Sequence, residues 1–85
     1  MQLVIVTPEG VACRAEVESV KLSGTAGPFT VLKGHAPLLS TLERGDVIYV
    51  EQGAERRVAI RSGVVNVFDN RIEVCAELDT PEKRR

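Results

Sequence analysis

Turn chemistry returns along this chain at intervals of roughly 8–12 residues, and that rhythm leaves room for short strands and little else. Pro8-Glu9-Gly10, Gly24 to Gly27, Lys33-Gly34, Glu43-Arg44-Gly45-Asp46, Gly53 and Asp69-Asn70 punctuate stretches rich in β-branched residues. No window keeps an apolar period of 3.6 residues long enough for a helix. The expected fold is all-β. With one Tyr, two Phe and no Trp, the core must be aliphatic, which fits two antiparallel sheets packed as a sandwich or flattened barrel.

The stretch Gly24 to Gly45, GTAGPFTVLKGHAPLLSTLERG, organises the rest. Gly24, Gly27 and Gly34 are the residues best able to take positive φ, so the backbone is expected to double back at Gly24 to Gly27 and again at Lys33-Gly34. Pro37 fixes its own φ and pushes Ala36 towards extended geometry, so Gly34-His35-Ala36-Pro37 reads as a stiff elbow leaning into solvent. Leu38, Leu39 and Leu42 are expected to return to the core.

Elsewhere the chain opens with a strand, Gln2 to Thr7, turned by Pro8-Glu9-Gly10 into a return arm over Val11 to Glu16. Alternation of apolar and charged residues then continues through Val20 and Leu22, with a shift near Ser19 that predicts a bulge. Val47 to Val50 is a strand, and Glu51 to Glu55 a hairpin loop. Arg56 to Arg61 returns with Val58 and Ile60 on one face, and Ser62-Gly63 is expected to break it. Val64 to Phe68 and Arg71 to Ala76 form a last hairpin across Asp69-Asn70, whose chemistry suits a type I′ turn. Residues 1–79 thus form one domain, and Thr80 to Arg85 a solvated polar tail.

Composition excludes several functions. A formal net charge of −1 without a basic stripe argues against nucleic-acid binding. Met1 is followed at once by strand-like residues, not by a signal or transit peptide, so the chain is expected to stay where it is made. Cys13 and Cys75 lack CxxC spacing and read as reduced core or half-core thiols. One His, with no triad, HExxH, P-loop or GxGxxG, leaves neither a catalytic centre nor a cofactor site to defend. His35 reads as a turn or interface residue, and Arg56, Arg57 and Arg61 beside Glu51 and Glu55 as a self-neutralising hairpin. An 85-residue chain buries only about 60–65% of its unfolded surface, so a partner that completes it is expected. From the residues alone the reading stops at a small all-β binding or structural module, such as a free-standing adaptor.

Gly24, Gly27 and Leu32, then Gly34-His35-Ala36-Pro37-Leu38-Leu39-Ser40, Leu42 and Gly45, closely resemble the signature of the epsilon subunits of F-type ATP synthases. Val4 to Glu9 is similar to that family's opening strand and turn, Ser62-Gly63-Val64 to its serine-glycine-glycine segment, and Ile72 to Asp79 to its last strand. The chain departs at Pro28, Thr30, Lys33 and Val64, where an acid, a glycine, a proline and a glycine are common. The resemblance implies a two-sheet sandwich of about ten strands. It also implies a non-catalytic, cofactor-free subunit of the central stalk of a proton-translocating synthase, peripheral on the cytoplasmic face of the bacterial inner membrane. Its partners would be the gamma subunit, through Thr7, Pro8, His35, Ala36, Pro37, Leu39 and Ser40, and the c-ring, through Pro28 and Phe29. Only Pro81 to Arg85 follow Thr80, so the C-terminal helical hairpin with which longer members restrain ATP hydrolysis is expected to be missing.

Overall fold

The computed structural model describes residues 1–79, and among them eight strands and no helix. They are β1 (Gln2–Thr7), β2 (Gly10–Glu16), β3 (Ser19–Leu22), β4 (Phe29–Leu32), β5 (Leu38–Leu42), β6 (Gly45–Glu51), β7 (Ala54–Phe68) and β8 (Arg71–Leu78). The expected polar tail, Thr80 to Arg85, lies outside the described residues.

Part of the shortfall from ten strands is β7, one strand of 15 residues where the sequence suggests two. Ser62 and Gly63 do not break it, because they keep ladder partners on β8, Glu77 and Ala76. Arg61 is the extra residue of a bulge between Ile60 and Ser62. An added residue flips the side-chain parity of a strand. Val58 and Ile60 therefore face inward before the bulge, and Val65 and Val67 after it. Glycine is required at 63 by crowding: a Cβ there would stand 2.8 Å from the Cys75 carbonyl oxygen and 3.0 Å from Ala76 Cβ.

That bulged strand serves two layers. Its first half pairs with β6, which pairs with β3, and β3 with β4. Its second half pairs with β8 on one side and β5 on the other, and β1 and β2 extend the layer beyond β8. The path ends openly at β2 and β4, so the arrangement is a sandwich and not a closed barrel. Every pairing is antiparallel except that of β1 with β8. Between the layers lies one aliphatic cluster to which β1 and β3 to β8 all contribute, including Leu3, Ile5, Leu22, Val47, Ile60, Val65 and Ile72. Each such side chain contributes about 1.5–3 kcal/mol through burial.

The shift near Ser19 is a change of layer and not a bulge. β2 ends at Glu16, still paired with Gln2; Val17 N donates to Met1 O at 2.8 Å, and Glu18 N already donates to Val50 O on β6. A bulge does occur in the first hairpin, where the register slips between Ile5 and Val6. Tight turns follow the expected chemistry. Asp69 and Asn70 both have positive φ, as a type I′ turn requires, and so do Gln52 and Gly53.

Candidate interaction surface

The elbow is built as its residues demand. Leu32 to His35 is a turn closed by His35 N donating to Leu32 O at 3.0 Å, with Gly34 at φ 82°. Lys33 through Pro37 are exposed. Nδ1 of His35 lies 2.7 Å from Ala36 O, which leaves the other ring nitrogen free. One expectation fails here, because Leu39 does not return to the core and is 71% exposed. β5 alternates strictly, so Leu38 and Leu42 point inward, and Leu39 between them must point out.

At Gly24 to Gly27 the turn closes with Gly27 N donating to Gly24 O at 3.0 Å. Gly27 has positive φ, whereas Gly24 is needed for close approach, since a Cβ there would meet Gly27 O at 2.7 Å. Thr25 N donates to Thr41 O, holding the turn against β5. Pro28 is exposed, while Phe29 packs partly against the core.

The residues singled out in sequence do not form one spot. Pro37 precedes Leu38, which pairs with Val67 close to the Asp69-Asn70 hairpin. Thr7 and Pro8 follow Val6, which pairs with Cys75 at the other end of the layer. Gly24 bridges Leu42, so Pro28-Phe29 shares that far end. Thr7 itself is buried, its hydroxyl donating to Gly10 O at 3.0 Å and accepting from Glu9 N at 3.2 Å. Pro8 is exposed.

Between the elbow and the Thr7-Pro8 turn lies a row of side chains that sequence reasoning missed; it crosses the strands near the far end, with Leu39 on its elbow side. Following the ladder across the outer face of the β5-β7-β8-β1-β2 layer gives Thr41, Val64, Cys75, Val6 and Val11. All five are exposed, and none carries a charge. Val6, Val11, Val64 and nearby Leu39 are four of the five exposed large hydrophobics; the fifth, Leu32, begins the elbow. An open groove of roughly 350 Å³ beside the row is lined by Val6, Pro8, Ser62, Cys75 and Glu77 among others. A signal was present, because adjacent apolar doublets such as Val64-Val65 and Leu38-Leu39 must leave one member on the outer face of a strand. The row also corrects the reading of Cys75, which is exposed, whereas Cys13 is half-buried as expected.

Charges are mostly paired elsewhere. Arg56 meets Glu51 at 3.3 Å, and Arg57 meets both Asp46 and Glu55, so the hairpin largely neutralises itself. Cys13 Sγ on β2 hydrogen-bonds Tyr49 Oη on β6 at 3.4 Å, linking the layers. That bond first, and burial second, push the Tyr49 hydroxyl up to about 12. Among the described residues no group of three or more His, Cys, Asp or Glu side chains is placed to hold a metal ion.

Residues 1–79 match the family model described as the β-sandwich domain of the ATP synthase delta/epsilon chain. An ATP synthase epsilon chain of Desulfitobacterium hafniense is 37% identical over 80 residues, covering 94% of this chain and 61% of that protein. One from Anaeromyxobacter sp. (strain K) is 39% identical over 77 residues, covering 91% and 58%. The chain therefore spans about three fifths of the length of these curated relatives, 61% of the first. Among solved structures, a chain of the Tetrahymena thermophila mitochondrial ATP synthase central stalk and c-ring superposes with a TM-score of 0.77 at 14% identity, covering 91% of this chain and 63% of that one. A chain of the Euglena gracilis mitochondrial ATP synthase superposes at 0.81 and 19% identity, covering 87% and 48%. At those identities the likeness is one of fold.

Proposed function

Because the chain belongs to the β-sandwich family of ATP synthase delta/epsilon chains, we propose that it is a non-catalytic module of the central stalk of a proton-translocating synthase. It sits between the gamma subunit and the c-ring at the cytoplasmic face of a bacterial inner membrane and turns with both, coupling rotation to ATP synthesis. Pro8, His35, Ala36, Pro37, Leu39 and Ser40 contact gamma, buried Thr7 shapes the turn that presents Pro8, and Val6, Val64 and Cys75 fill the face between them. Pro28 and Phe29 meet the c-ring.

The observation that carries this reading is the uncharged row, which together with Leu39 spans the layer from the strand that follows the elbow to the Thr7-Pro8 turn. A stable interface buries roughly 800 Å² on each partner around a few apolar anchors, and neither turn offers that alone. Mechanical coupling needs no reactive group. It needs a body that does not shear, and a single core shared by two layers through β7 provides one.

Cys75 is a built-in reporter. Maleimide should modify it readily in the free chain and at least tenfold more slowly in the assembled complex with gamma, with peptide mass spectrometry separating it from Cys13. Equal labelling rates in the free and assembled states would refute gamma docking on this face.

A further inference from the structure

Beyond the His35 N bond to Leu32 O that closes its own turn, the elbow among the described residues is tied to the rest of the molecule by a hydrogen bond at one point, Asn70. Asn70 occupies the second position of the β7–β8 turn with φ 57°. Its main-chain oxygen accepts from Gln2 N at 3.0 Å. Its side-chain Oδ1 accepts from Gly34 N at 2.9 Å, in the middle of the connection from β4 to β5. That connection leaves one layer and enters the other, so nothing in either ladder fixes it. Among the described residues, the Asn70 amide is the one side chain from outside residues 33–37 that hydrogen-bonds to that segment.

From this geometry we infer that Asn70 is a positioning residue for docking. It holds the Gly34–Pro37 elbow in the shape the partner meets, so the ordering of that loop is complete before the partner arrives. The inference rests on the reading above, in which the elbow faces gamma. Asn70 need touch nothing on gamma to act, because its effect passes through the Gly34 amide.

Two substitutions separate this role from a role in the hairpin. Asn70→Gly keeps a residue suited to the left-handed turn, giving Asp-Gly, and removes the acceptor. Asn70→Asp keeps a side-chain oxygen for Gly34 N. A hydrogen bond contributes a net ~0.5–1.5 kcal/mol, so Asn70→Gly should weaken gamma binding about three- to tenfold. Exchange of the Gly34 amide, followed by NMR, should quicken at least tenfold in the free chain, with the melting temperature nearly unchanged. Asn70→Asp should return both readouts to within twofold of the parent. Unchanged affinity in Asn70→Gly, with His35→Asp still weakening binding, would overturn the positioning role and leave the interface reading standing. If neither variant altered binding, the elbow would not face gamma, and the inference would fall with that reading. Weakening that Asn70→Asp did not restore, accompanied by a lowered melting temperature, would assign Asn70 to hairpin stability alone and also overturn the inference.

Discussion

Both outer faces of the sandwich carry aliphatic side chains, and they treat them differently. On the β4-β3-β6-β7 layer, Ile48 sits in a ladder row between Lys21 and Arg57, and Val50 in a row between Ser19 and Glu55. Ile48 and Val50 are half-buried, as expected where long charged side chains lay their methylene stems over a neighbour and keep their heads in water. In the other layer, Val64 has Thr41 and Cys75 as its ladder neighbours, and Val6 has Cys75 and Val11. None of these ladder neighbours has a long stem to lay over them. Exposed Leu32 on β4 aside, the first face covers its own aliphatic side chains, whereas the other leaves Val6, Val11, Leu39 and Val64 uncovered.

The two layers are joined through one strand, β7, and the largest effect is expected where that joint is cut. Ile60 is fully buried and pairs with Gly45 in one layer and Leu78 in the other. Ile60→Ala should lower the unfolding free energy by about 3 kcal/mol. For a domain of this size that corresponds to a melting temperature lower by roughly 10–25 °C in a thermal scan. A loss under about 1 kcal/mol would mean the layers do not share a core at β7.

Equal charges placed on the two faces test the comparison directly. Val64→Asp should weaken gamma binding at least about a hundredfold by calorimetry, because a carboxylate would be stranded among apolar neighbours at the centre of the interface. Ile48→Asp introduces the same charge beside Lys21 and Arg57, and should change affinity less than about threefold. Both chains should stay folded, as both positions face outward. Similar losses from the two substitutions would erase the distinction between the faces.

Between the layers, the Cys13–Tyr49 contact gives a smaller, pH-dependent effect. The Tyr49 hydroxyl is raised from its ordinary value near 10 to about 12 in the folded chain. The unfolded chain therefore loses that proton first, so the contribution is intact below about pH 10 and is lost as pH rises towards 12. Melting temperatures recorded across this window should fall more steeply in the parent than in Tyr49→Phe. Parallel slopes would show that the phenol senses neither its bond with Cys13 nor its burial between the sheets.

Much of this architecture was legible because local chemistry and tertiary structure agree. Asp69-Asn70 allows little besides a tight turn, and Gly34 followed by Pro37 allows little besides an elbow. What could not be read depended on partners far away in sequence. Ser62-Gly63 looks like a break until Glu77 and Ala76 supply its ladder, and the discontinuity near Ser19 looks like a bulge until Val50 supplies the bond that begins a new layer. Leu39 looked like core because three leucines stand close together, but strand parity, which a bulge can invert, decides which of them faces out. The exposed uncharged row suffered most from this, being one residue from each of five strands.

The smallest effect tests whether the β4-β3-β6-β7 face is covered by stems or by ion pairs. Arg57 bonds Asp46 at 3.2 Å and Glu55 at 3.1 Å, yet its side chain is 58% exposed. Such pairs typically contribute less than about 1 kcal/mol and fade with salt. Arg57→Met keeps an unbranched stem opposite Ile48 and deletes both pairs, so its stability by urea titration should lie within about 0.5 kcal/mol of the parent. Arg57→Ser deletes the stem as well, uncovers Ile48, and should be the less stable of the two, with the difference between them surviving in high salt. If Met were as damaging as Ser, and both losses disappeared in salt, the charges themselves would be protecting that face. The contrast with the β5-β7-β8-β1-β2 layer would then be electrostatic and not one of covered against uncovered apolar surface.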